Sequence, residues 1–251
     1  MMIIIEKKKK IMMFKDIHCH ILPGIDDGSR SIEESIEILR RAEKEGVSEI
    51  VLTPHYIENS RYNCNNKNKN ELFEKLKETM EQSGINIKLY LGNENYMSMN
   101  FIELLNNKEI MTINNSRYLL LEFPLNQIYK NSKEYLYELV TKGYVPILAH
   151  PERYRDFQNN PELVEEYTRM GILLQGNYKS LLGKYGRASK KTLKILLKKD
   201  LITFLGSDIH HIEDYQLDKA YKKVKRIVKD ENRVVDIFSN NFNKVITNEE
   251  I

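Results

Sequence analysis

The sequence has no tryptophan and only two cysteines in 251 residues, Cys19 and Cys64. Two cysteines cannot build a disulfide framework or a Cys-rich zinc module, so a reducing, cytoplasmic setting is expected. No stretch approaches the ~20 consecutive apolar residues of a membrane helix, and no membrane insertion is expected. An excess of one charge is also missing. With 39 Lys+Arg against 36 Asp+Glu the formal net charge is +3, and the basic residues are spread along the chain, so nothing points to nucleic acid. There is no Gly-x-Ser-x-Gly elbow, no Gly-x4-Gly-Lys-[Ser/Thr] loop and no Gly-x-Gly-x-x-Gly fingerprint, which removes support for hydrolase-fold serine chemistry and for nucleotide binding. Neither cysteine opens a Cys-x5-Arg phosphate loop, because Ile25 and Asn70 stand six positions after Cys19 and Cys64; cysteine-dependent phosphatase chemistry is excluded.

What is present, 41% hydrophobic and 30% charged residues, is the profile of a globular protein. A short apolar run at residues 1–5 precedes Lys7 to Lys10, the reverse of a secretory signal. Residues 1–12 are therefore read as an extension and residues 13–251 as a single domain. Within it, short β-branched runs alternate with longer stretches of helical period. The runs are 14–17, 49–53, 87–91, 118–121, 145–149, 171–175 and 202–205, about seven strands in all, which predicts a parallel α/β architecture with one compact barrel preferred over an open doubly wound sheet.

The clearest helix follows the first strand. Ser31 and Glu34 form a capping box, Ile32, Ile36, Leu39 and Ala42 share a face, and Gly46 supplies the stop. Further helices are expected at 70–82, 99–106, 133–142, 161–170, 188–199 and 216–229. Residues 54–70, with the Asn/Lys-rich string 63–70, and residues 176–187 are expected as loops, the first solvated and mobile.

All six histidines, His18, His20, His55, His150, His210 and His211, fall at or just beyond predicted strand ends, which converge on one face of a parallel barrel. Glu94, Glu122 and Asp208 reach the same face, and Asp26 and Asp27 follow the first strand. Any one of these has an ordinary explanation as a surface pair, a turn residue or a rim ion pair. Their common position does not, and imidazoles with carboxylates in this number exceed what one divalent ion needs. In a strand His18 and His20 point to one side and can grip one ion, while Cys19 points away into the core. Clustered ions suit phosphoester hydrolysis, since they lower the pKa of bound water toward ~7 and hold phosphoryl oxygens. Arg153 offers the guanidinium that phosphate binds in bidentate fashion, unless Glu152 or Asp156 claims it in a salt bridge.

Taken together, Asp16-Ile17-His18-Cys19-His20, Asp26-Asp27-Gly28, Thr53-Pro54-His55, Gly92-Asn93-Glu94, Glu122-Phe123, His150-Pro151-Glu152-Arg153-Tyr154 and Gly206-Ser207-Asp208-Ile209-His210 resemble the bacterial protein-tyrosine phosphatases of the PHP (polymerase and histidinol phosphatase) superfamily. The nearest group is the CpsB/CapC type found with capsule and exopolysaccharide synthesis. The resemblance implies a distorted TIM-like barrel of about seven βα units, with three divalent ions at the C-terminal ends of the strands, manganese foremost and iron or zinc as alternatives. It implies one ion on His18, His20 and Asp208, Glu94 bridging to a second on Glu122 and His150, and a third on Asp27, His55 and His210. Arg153 matches the substrate arginine. A second arginine common in the family after the Asp-x-His motif is missing here, where the first basic residue after His211 is Lys219, a point charge rather than a fork.

The expected activity is therefore dephosphorylation of the tyrosine-rich tail of a membrane-associated bacterial autokinase, with Arg153, Asp208 and His210 as the catalytic groups and Arg153 with Lys219 binding substrate. Two alternatives remain: a small-molecule phosphatase such as one acting on histidinol phosphate, and a non-enzymatic regulatory partner of the kinase.

Overall fold

The computed structural model describes Phe14–Ile251, so the extension read over residues 1–12 lies outside the described residues. Nine strands occur among the described residues: β1 (Phe14–Cys19), β2 (Val47–Leu52), β3 (His55–Tyr56), β4 (Lys88–Leu91), β5 (Glu94–Tyr96), β6 (Tyr118–Glu122), β7 (Val145–Ala149), β8 (Leu173–Asn177) and β9 (Phe204–Gly206). They form a three-stranded sheet, β1-β2-β4, and a six-stranded sheet, β3-β5-β6-β7-β8-β9, in which every pairing is parallel.

The nine strands occupy seven positions. β2 resumes as β3 after Thr53-Pro54, and β4 resumes as β5 after Gly92-Asn93, so two of the seven expected runs are each continued by a second short strand beyond their expected end. Proline has no N–H to give a ladder, yet the Pro54 carbonyl accepts from the Glu94 N–H at 3.1 Å and the Leu52 carbonyl from Gly92 at 2.9 Å. These bonds carry the first sheet into the second. At the other edge, Cys19 and Ile209 form an isolated parallel bridge, the His20 N–H donates to Ile209 at 2.8 Å, and the Asp208 N–H donates to His18 at 2.9 Å. The ring thus comes round without a continuous ladder, the distorted form that was expected.

Alternation along the strands sorts the apolar residues into two cores. Leu52, Leu89, Leu91, Leu119, Leu121, Leu148 and Leu174 join the helices in the larger one. Ile17, Val51, Tyr90, Tyr118, Leu120, Ile147 and Phe204 fill the smaller one between the strands, where Phe242 and Val245 of the last helix, Asn241–Ile246, join them. A fully buried aliphatic or aromatic side chain contributes about 1.5–3 kcal/mol, so these two cores carry the ring.

The capping box is realised in shifted form. Ser31 Oγ accepts the Glu34 N–H at 3.2 Å, but Glu34 reaches past the cap to the Arg30 N–H at 2.9 Å. Gly46 ends the segment in the left-handed region, φ 90°.

Two loop expectations are corrected. The string 63–70 is mostly the start of a helix, Asn66–Gln82, because Asn65 caps it by accepting the Asn68 N–H at 2.9 Å. Lys69 within it is only 1% exposed: its ammonium donates to Asn93 Oδ1 at 2.6 Å and lies 5.4 Å from the Tyr56 ring centre, and burial pulls its pKa down to about 7. Asn93 also donates to the Pro54 carbonyl and accepts the Met111 N–H, so it fastens both broken strands beside Glu94. The second expected loop, 176–187, contains a helix, Tyr178–Leu182, and the start of another, Gly186–Lys198. Pro161 opens a 3-10 turn, Pro161–Leu163, before the helix proper, Val164–Thr168.

Candidate metal centre

The ligand candidates sit where the strands end. His18 lies in β1 and His20 one residue beyond it; His55 opens β3, Glu94 opens β5, Glu122 closes β6, His150 follows β7, and Asp208 and His210 follow β9. His150 (φ 35°) and Asp208 (φ 51°) take the left-handed conformation, which costs a non-glycine residue on the order of 1–3 kcal/mol.

His18, His20, Glu94 and Asp208 are all buried, and their donor atoms lie within 4.8 Å of one another. The two Nε2 atoms are 3.0 Å apart, Glu94 Oε2 is 3.1 Å from each, and Asp208 Oδ1 is 3.6 and 3.5 Å away. A second group joins His55 Nδ1 to Glu94 Oε2 at 3.2 Å and Glu122 Oε1 at 3.1 Å. His150 Nε2 reaches the same two carboxylates, at 2.9 Å to Glu94 Oε1 and 3.7 Å to Glu122 Oε2. The third group is His20, Asp27, His55 and His210, with Asp27 Oδ1 at 3.5 Å from His55 Nε2 and 3.7 Å from His210 Nε2. All nine candidates are therefore brought together, and His55 faces two of the groups.

Outer partners set the tautomers. The His18 Nδ1–H donates to Gln175 Oε1 at 2.7 Å and the His20 Nδ1–H to Asp26 Oδ2 at 2.9 Å, which leaves both Nε2 atoms free to present lone pairs to the cluster. Asp26 also accepts from the N–H groups of His55 and Gly28. On Asp208 the two oxygens divide the work: Oδ1 faces the imidazoles, and Oδ2 accepts from Arg153 at 2.8 Å, Asn177 at 2.6 Å and Tyr185 at 3.2 Å. Sequence reading assigned no role to Asp26, Gln175, Asn177 or Tyr185. Gln175 and Asn177 obey the same strand-end rule as the ligands, and extending it to amides would have found them.

Arg153 escapes both alternative partners. The Glu152 carboxylate takes the Ser180 hydroxyl and the Asn177 N–H, and Asp156 takes the Ile128 N–H. The guanidinium instead packs 4.5 Å from the Tyr185 ring centre while bonding Asp208. Lys219 stands exposed on the helix Leu217–Val228, its amine on Gln216 Oε1 rather than on the cluster. His211 pairs with Glu34, and Cys19 is buried with Sγ on the Val51 carbonyl.

The electrostatics favour a cation. Burial and the neighbouring His20 pull the His55 pKa down, but Glu94 and Glu122 outweigh them and raise it to about 9. Burial likewise opposes charge on His20, and its contacts with Asp26 and Glu94 push it well above the usual imidazole value. His210 goes the other way, to about 4, through burial and the nearby His20. Glu94 and Asp208 resist the upward pull of burial and are held low chiefly by His18 when that imidazole is protonated, a positive charge that a bound cation would replace. The donor set fits divalent ions: His55 Nδ1 is buried with no hydrogen-bond partner although two carboxylate oxygens lie within 3.2 Å, and the Nε2 lone pairs of His18 and His20 face each other at 3.0 Å. Ion ligands at ~2.0–2.1 Å span such separations readily.

Gly28 closes the Asp26-Asp27 loop against β1, and a Cβ there would meet the His20 carbonyl oxygen at 1.9 Å. Gly28→Ala is expected to lower stability by about 1–3 kcal/mol and to displace Asp26 and Asp27. A thermal midpoint and a bound-metal analysis equal to those of wild type would refute this packing.

Comparison with known proteins identifies the family. A family model described as capsular polysaccharide synthesis, CpsB/CapC, matches residues 14–247. CapC of Staphylococcus aureus is 39% identical over 240 residues, covering 94% of this chain and 92% of that protein. The tyrosine-protein phosphatase YwqE of Bacillus subtilis is 32% identical over 198 residues, 79% of this chain and 78% of that one. A solved structure from the work on YwqE and CpsB of Streptococcus pneumoniae, described as unique metal-dependent tyrosine phosphatases, superposes with a TM-score of 0.88 at 28% identity, over 94% of this chain and 96% of the other. The chain belongs to the CpsB/CapC family of capsular polysaccharide synthesis.

Proposed function

We propose that this protein is a cytoplasmic, metal-dependent protein-tyrosine phosphatase whose substrate is the phosphotyrosine-bearing tail of a bacterial autokinase governing capsular or exopolysaccharide synthesis. The observation that carries the proposal is the meeting of five imidazoles and four carboxylates at one mouth with the Arg153 guanidinium beside them. Three ions are assigned, most readily manganese, with iron or zinc as alternatives; when bound they supply an activated water and hold the phosphoryl oxygens.

The chain's own residues do the rest. Arg153, already oriented by Asp208 and Tyr185, presents N–H donors to the non-bridging oxygens and steadies charge as it develops. Lys219, exposed, contributes only an outer point charge. His210, kept neutral chiefly by burial, retains a lone pair for a cation or a proton. Gln175 and Asp26 keep His18 and His20 in the tautomer that faces inward. A tyrosyl leaving group, with a pKa of ~10, departs without a strong general acid.

With the manganese-loaded protein, kcat/KM on a phosphotyrosyl peptide is expected to exceed that on histidinol phosphate by at least about tenfold, a 1.4 kcal/mol difference in transition-state binding. The reverse preference makes this a small-molecule phosphatase. Background rates on both with every divalent ion, joined to tight kinase binding, make it a regulatory partner.

A further inference from the structure

Seven residues beyond the ligand candidate His55 stands an aromatic side chain that nothing above uses. Tyr62 lies near His55 with its ring nearly parallel, 24° between planes and 6.1 Å between centres. We infer that Tyr62 is a specificity-determining residue, an aromatic wall at the mouth of the centre that favours aryl over alkyl phosphomonoesters.

The segment that presents it is built rather than loose. The Ile57 N–H donates to the Tyr62 carbonyl at 2.8 Å, closing the loop, and Ser60 Oγ donates to the Ile57 carbonyl at 2.8 Å while accepting the Tyr62 N–H at 3.0 Å. Asn59 makes the turn in the left-handed region, φ 56°, and Glu58 accepts from Asn100 at 2.9 Å, tying the loop to the residues after β5. The Arg61 guanidinium packs 4.8 Å from the Tyr62 ring centre and donates to its hydroxyl. These contacts fix the ring's direction, yet Tyr62 remains partly open to solvent.

Geometry makes the ring useful. A phosphomonoester with its phosphorus at the cluster must project its organic group outward through the mouth, and an aryl group then begins one ester oxygen away from the phosphoryl centre. It passes within a side chain's length of His55, where Tyr62 offers an offset aromatic partner. Such pairs, with centres about 4.5–7 Å apart, favour stacked or edge-to-face packing. An alkyl phosphate has no ring to place there.

This inference rests on the phosphomonoesterase reading, and the test separates the two. Calorimetric titration of manganese-loaded wild type, Tyr62→Phe and Tyr62→Ala with phenylphosphonate and methylphosphonate reads the wall alone, since neither ligand is hydrolysed. Wild type and Tyr62→Phe are expected to prefer the phenyl ligand, and Tyr62→Ala to bind it about 3- to 10-fold more weakly while methylphosphonate affinity holds. Equal loss of both ligands, no loss of either, or no phenyl preference in wild type overturns the inference. Parallel turnover of p-nitrophenyl phosphate reads the reaction: no turnover in wild type, with a Tyr62-dependent phenyl preference, overturns the phosphatase reading and leaves the wall standing.

Discussion

Asp208→Ala is expected to reduce turnover of p-nitrophenyl phosphate to background, at least the about 10³-fold that losing one preorganised electrostatic group can cost, and to leave the purified protein short of bound metal. The carboxylate is 2% exposed and serves two sides at once, with Oδ1 toward His18 and His20 and Oδ2 holding Arg153, Asn177 and Tyr185. Alanine strips a candidate ligand and also leaves a half-buried guanidinium without its carboxylate, a loss on the order of 1–3 kcal/mol for a charged hydrogen bond broken on one side. The thermal midpoint therefore falls along with the rate. His150→Ala tests the opposite wall, where Nε2 meets Glu94 at 2.9 Å. Metal analysis and initial rates on both variants decide the matter: full occupancy with unchanged rates would remove these residues from the centre.

Arg153→Ala is expected to lower kcat by about 10²–10³-fold with bound metal close to the wild-type amount, because the guanidinium touches Asp208 on the oxygen turned away from the imidazoles. Arg153→Lys is expected to recover little, since an ammonium lacks the planar fork and the stacking on Tyr185. Steady-state kinetics with metal analysis separates this role from a structural one. If Arg153→Ala loses metal in proportion to rate, the arginine works only by holding Asp208, and if Lys restores the rate, a point charge suffices.

Much of this centre was legible in the sequence because parallel strands impose one rule: whatever ends a β-branched run arrives at the same face. That rule alone places His18, His55, Glu94, Glu122, His150 and Asp208 together. It failed where the chain interrupts itself. Thr53-Pro54 and Gly92-Asn93 read as strand ends, whereas the backbone re-enters the sheet at His55 and Glu94 through carbonyls that the lone sequence does not pair. Lys69 was misplaced for a different reason. Composition treats an Asn/Lys string as solvated, and only the cap at Asn65 and the Asn93 acceptor reveal a buried ammonium. His55 facing two groups of donors is likewise a matter of ring orientation, which spacing cannot express.

The thinnest seam of the strand ring, the lone bridge between Cys19 and Ile209, runs directly beneath His18 and His20 on one lip and Asp208 and His210 on the other. A cation gripped from both lips would act as a clasp, doing for the first and last strands what a ladder does for the rest. Chelation would then loosen the molecule at that seam before anywhere else, so that emptying the centre and opening the ring become one event.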